Sequence, residues 1–119
     1  MRDLSKRLLD FAINVIRLLR KLPNTQEYKV IKYQLIKSSS SSGANYEEAQ
    51  GASSKADFTN KVRISLKEIR ESNFWLKVIE GINVDKKLTE EINNLVQESQ
   101  ELKNILGSIC VKTKRKGTT

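Results

Sequence analysis

Fourteen Asp and Glu side chains, a single cysteine and no histidine limit what this chain can catalyse. Without imidazole, no serine can pass its proton along a Ser-His-Asp relay, Cys110 has no histidine to form a Cys-His site, and the Glu-x-x-His pairs of di-iron bundles cannot be built. A carboxylate-only metal site from Glu47, Glu48, Glu68 and Glu71 is what remains, and charged pairs on helix faces are usually solvated. The five glycines form neither G-x-G-x-x-G nor a loop ending in Gly-Lys-Ser/Thr, so no phosphate cradle is encoded. The expectation is a nonenzymatic protein with no catalytic residue, metal or cofactor.

Binding chemistry is better represented. Lys and Arg number 22, for a net charge of +8. Residues 1–37 hold nine basic and three acidic side chains, residues 38–111 nine and eleven, and residues 112–116 four more basic ones. Such asymmetry suits an anionic partner, although many solvated helices carry it with no partner at all. On a helical repeat, Arg17, Arg20 and Lys21 project away from the apolar stripe of the first segment, and Lys29 and Lys32 from that of the second. These five are the candidate contacts to an RNA or DNA phosphate backbone. No base-reading motif accompanies them, so affinity would come from charge rather than sequence. Ile13, Tyr33 and Ile36 also face outward, and are read as a contact between subunits of a homo-oligomer, which would multiply the basic charge. Scattered exposure is the plainer alternative, and stacking of Tyr33 on a base a further one.

The elements that hold these residues follow from apolar spacing. Leu4, Leu8, Phe11, Val15, Leu18 and Leu22 recur at steps of four and three, one face of a helix ended by Pro23 and Asn24. A second pattern runs from about Gln26 through Tyr28, Ile31, Leu35, Ser38 or Ser39, Ser42, Tyr46 and Ala49 to Gly51. Five consecutive serines, residues 38–42, look like a linker, yet they keep the helical register. A third segment starts at a capping box of Ser54 and Asp57, runs through Phe58, Val62, Ser65, Ile69, Ser72, Leu76 and Ile79, and stops at Gly81. A fourth follows through Leu88, Ile92, Leu95, Ser99, Leu102, Leu106 and Ile109.

Four such segments of about 20–25 residues with short connections predict an all-α, antiparallel up-down-up-down four-helix bundle. Residues 1–111 form the bundle and residues 112–119 a disordered basic tail. Laid side by side, the helices bring Ser39, Ser42, Ser65, Ser72 and Ser99 to one central level, a narrow waist of small polar residues. Asn45 and Glu48 fall toward the interior and are read as a buried hydrogen-bonded pair or cap between the second and third helices. The lone Cys110, the charges that break up the first 20 residues, and the absence of an 18-residue apolar run suggest a cytoplasmic protein without a membrane partner.

The run QLIKSSSSSGANYEEAQGASSKADFTNKVRISLKEIRESNFWLKV, residues 34–78, resembles the signature of the bacterial four-helix bundle proteins named for intervening sequences of 23S ribosomal RNA genes. The family's Ser-x-x-x-Asn-x-x-Glu-x-x-Gly is matched by Ser41, Asn45, Glu48 and Gly51. Its Ser-x-x-(Asp/Glu)-Phe is matched by Ser54, Asp57 and Phe58, and its Ser-x-x-Glu by Ser65 and Glu68. These positions are read as structural. The sequence departs from the family at residues 38–40, where Arg, Ala or Gly is more usual than Ser. The resemblance implies a homopentameric ring with a basic surface, and extends to accessory proteins of diversity-generating retroelements, which bind nucleic acid and a reverse transcriptase. Two readings follow: an RNA-associated oligomer, or a scaffold ring for a partner enzyme such as a reverse transcriptase.

Overall fold

The computed structural model describes residues 3–117, with side chains through Thr113. Four long helices account for most of them: α1 (Leu4–Leu19), α2 (Gln26–Gln50), α3 (Lys55–Ile82) and α4 (Thr89–Gly117), the last entered through a 3-10 turn at Lys86–Leu88. No strand occurs among the described residues. The molecule is a rod of 51 × 24 × 21 Å.

The first three helices begin where a short polar side chain can take an orphan amide. Asp3 accepts from Ser5 N, Thr25 from Tyr28 N, and Ser54 from Asp57 N at 3.0 Å. The expected capping box is formed in altered shape, because the Asp57 carboxylate reaches back to the amide of Ser53, at 3.3 Å. α1 stops three residues short of Leu22. Its end tightens into three-residue bonds, Lys21 N to Leu18 O and Leu22 N to Leu19 O, as Pro23 bars the α conformation from the residue before it. α3 passes through Gly81 to end at Ile82.

The largest departure is at the C-terminus. α4 continues to Gly117, so residues 112–117 belong to the helix rather than to a disordered tail, while residues 118–119 lie outside the described residues. No proline or internal glycine pair interrupts the ladder there, and Lys and Arg near a helix C-terminus are favoured by its dipole. The Thr113 hydroxyl donates to Ile109 O at 2.8 Å, within the continuing helix.

The apolar faces meet in one core, with Leu8, Phe11, Val15 and Leu18 of α1 packed among Leu35, Val62, Ile69, Leu76, Ile92, Leu102 and Leu106. At its middle, Ser38, Ser39, Ser42, Ser65, Ser72 and Ser99 are fully buried. Four of them, Ser38, Ser42, Ser65 and Ser72, hold α2 against α3. The Ser42 hydroxyl donates to Ser65 O at 3.0 Å and the Ser65 hydroxyl to Ser42 O at 2.7 Å, while the Ser38 and Ser72 hydroxyls lie 2.8 Å apart. A hydroxyl bonded to the opposite backbone requires the two helices to approach closely. It also satisfies groups whose burial would otherwise cost about 1–3 kcal/mol each. On α4, Ser99 accepts from Asn73 Nδ2 at 2.8 Å.

Leucine at position 42 or 65 would overfill this contact and orphan its partner's polar groups, so Ser42→Leu or Ser65→Leu should lower stability in urea denaturation by about 1–3 kcal/mol or more. Gly43 packs on Leu8, where an added Cβ would lie 3.6 Å from Leu8 Cβ and from its carbonyl oxygen. That is ordinary contact, so Gly43→Ala should raise stability by about 0.5–1 kcal/mol through helix propensity.

Candidate anion-binding and subunit-contact surfaces

The five cations expected to meet phosphate divide into two groups. Lys32 donates to Leu22 O at 2.9 Å and to Asn24 Oδ1 at 2.8 Å, closing the connection between α1 and α2. Lys21 pairs with Glu91 of α4 at 2.8 Å. Both are therefore occupied within the fold, and Lys32 is only half-exposed. Arg17, Arg20 and Lys29 are exposed, and no described carboxylate lies within ion-pair distance of them. Arg17 borders an open groove of about 760 Å³ between α1 and α4, lined also by Asn14, Asn94 and Glu98.

Arg7 shares that groove, but its charge is committed. It reaches Glu98 through two nitrogens, at 3.1 and 2.6 Å, and Glu101 at 3.3 Å. The hydrogen bond to Glu98 holds the guanidinium in its charged form against the opposing effect of burial.

Ile13, Tyr33 and Ile36 are 37%, 64% and 41% exposed. Ile13 belongs to a mostly apolar groove between α1 and α2, with Leu9, Ala12 and Ile16 on one wall and Ser40, Gly43 and Ala44 on the other. Leu9, 55% exposed, was not predicted, because it sits one residue off the four-three pattern that marks the core. A second exposed apolar group was also missed. Val30 and Phe74 are exposed, and Phe74 makes an edge-on contact with Trp75 at 5.0 Å between ring centroids. The Trp75 indole nitrogen is buried and has no acceptor among the described residues.

Most of the motif residues make contacts within the fold. Ser65 joins the serine contact, Ser54 and Asp57 start α3, Phe58 packs on the core, and Glu68 O accepts from the Ser72 hydroxyl at 3.1 Å. Asn45 and Glu48 do not pair. The Asn45 amide donates to Ser41 O at 2.8 Å and to Ser41 Oγ at 3.1 Å, one turn back on its own helix. Glu48 lies further round to solvent and meets Lys61 of α3 at 3.4 Å. Gly51 ends α2 with its amide donating to Glu48 O at 3.1 Å and with negative φ. Near the base of α4, burial pushes the Cys110 thiol up, opposed by the positive charges of Arg63 and Arg70.

A family model described as "23S rRNA-intervening sequence protein" matches residues 3–108. Among solved structures, a protein of unknown function from the S23 ribosomal protein family of Bacteroides thetaiotaomicron superposes with a TM-score of 0.79 at 33% identity, covering 91% of this chain and 98% of its own. No curated protein matches in sequence.

The division of the cations is measurable without any ligand. Lys32→Met should lower the thermal midpoint through loss of two hydrogen bonds, equivalent to about 0.5–3 kcal/mol. Arg17→Gln and Arg20→Gln should each change stability by less than about 0.5 kcal/mol.

Proposed function

The chain belongs to the 23S rRNA-intervening sequence protein family, and from that membership we propose that it is a nonenzymatic, cytoplasmic, RNA-associated oligomer. In this reading its four helices run up-down-up-down and the bundles assemble as a homopentameric ring. The observation that carries the binding role is the set Arg17, Arg20 and Lys29, exposed cations without an anionic partner in the described fold. They lie on α1 and α2, the two helices that form the apolar groove of Leu9, Ala12, Ile13 and Ile16, which a neighbouring subunit would cover together with Tyr33 and Ile36. Phosphate contacts repeated around a ring give tight, salt-sensitive and sequence-indifferent binding. Lys21 and Lys32 support the fold rather than the ligand.

A second reading rests on Val30, Phe74 and Trp75. Exposed aromatic groups of this kind are typical anchors for a protein partner, so the ring could equally serve as a scaffold for an enzyme such as a reverse transcriptase.

Titration of structured RNA at about 100 mM salt should show binding that weakens as salt rises, and the Arg17→Gln/Arg20→Gln/Lys29→Gln variant should lower the salt slope by about 2 to 3. Absence of binding, or indifference to salt, would sink the RNA reading. Retention of one specific protein in a nuclease-treated pull-down would favour the scaffold.

A further inference from the structure

α3 carries a cationic stripe separate from the α1–α2 edge. Arg63, Lys67, Arg70 and Lys77 follow one another at steps of four, three and seven, and all four are exposed. At 1.5 Å per residue the stripe is about 21 Å long. None of its members takes part in an ion pair among the described residues, where the paired cations are Lys6, Arg7, Lys21 and Lys61. Glu71 and Glu80 on the same helix remain beyond ion-pair distance of it. Beside α3, α4 carries the uncharged Gln97 and Gln100, which share an open cleft with Glu80. The positive charges of Arg63 and Arg70 are felt at Cys110 of α4.

Like charges one turn apart oppose helix formation, and Arg63, Lys67 and Arg70 form no ion pair among the described residues to relieve this. In the gap between Arg70 and Lys77 stands Phe74, 56% exposed, with its ring steadied edge-on by Trp75. A row of cations with an aromatic face set in it is the arrangement that follows a single-stranded backbone while stacking an unpaired base. An acidic polypeptide could meet the charges but would leave the aromatic face without a base to stack.

We infer that Arg63, Lys67, Arg70 and Lys77, with Phe74, form a binding path for a single-stranded segment of RNA. The inference rests on the RNA reading above and adds the class of nucleic acid and a second face that binds it. The path lies on α3, away from the α1–α2 groove, and so stays open when that groove is covered by a neighbouring subunit.

The test uses the full chain and a labelled oligouridylate of about 12 nucleotides, with anisotropy read over a range of salt. The Arg63→Gln/Lys67→Gln/Arg70→Gln/Lys77→Gln variant should lower the magnitude of the salt slope by about 3, at about 0.7 per phosphate contact on a single strand. Phe74→Ala should weaken affinity about 5- to 150-fold while leaving the slope unchanged. Circular dichroism melts would verify that both variants are folded. Unaltered binding by the fourfold variant, alongside loss in the Arg17/Arg20/Lys29 variant, would overturn the α3 path and leave the RNA reading standing. A wild-type protein that binds no RNA brings down both. Equal affinity for duplex, or displacement by polyglutamate at matched charge, would remove the single-strand assignment.

Discussion

The reciprocal bonding of Ser42 and Ser65, each hydroxyl on the other's backbone carbonyl, sets the distance between α2 and α3. The hydrophobic driving force is non-directional, but a hydrogen bond between a hydroxyl and a particular carbonyl holds at one alignment. Ser38 and Ser72 add a hydroxyl-to-hydroxyl bond between the same two helices, so sliding α2 past α3 would orphan several buried groups at once. The serine run therefore acts as a register key inside an otherwise ordinary apolar core.

The remaining helices dock on that pair by different means. α1 lays Leu8 on Gly43 of α2. α4 is positioned by Asn73 on Ser99 and by the forked contact of Arg7 on Glu98. The outer faces follow from this arrangement. Once the apolar stripe of α1 is turned inward at Leu8, Phe11 and Val15, Leu9 and Ile13 must lie toward the α1–α2 groove. With Asn73 committed to α4, Lys77 and Arg70 must emerge beside the amide-rich flank of that helix.

Much of this was legible in the spacing of apolar residues. The four helices, the caps at Ser54 and Asp57, and the continuation of α2 through five serines all depend on local pattern, which a sequence contains in full. Partners across the bundle do not. Periodicity placed Lys21 and Lys32 outward, but it could not say that Glu91 and the carbonyl of Leu22 would be within reach. Asn45 and Glu48 were assigned to one buried pair because angle alone does not show that Ser41 captures the amide first. The helical run of residues 112–117 was missed because it continues on propensity and dipole without an apolar stripe. The α3 stripe escaped notice for a different reason. Residues 38–111 carry more acids than bases, and summing over them cancels a charge separation that exists between faces.

The serine waist also has a thermal consequence. Exposing apolar surface on unfolding raises heat capacity and exposing polar surface lowers it, by about +0.45 and −0.26 cal/K/mol/Å² respectively. A bundle whose centre is closed by six buried hydroxyl side chains, where leucine or isoleucine would be usual, has less of the first and more of the second. Its stability curve should be correspondingly broad and shallow, falling away slowly on both cooling and warming.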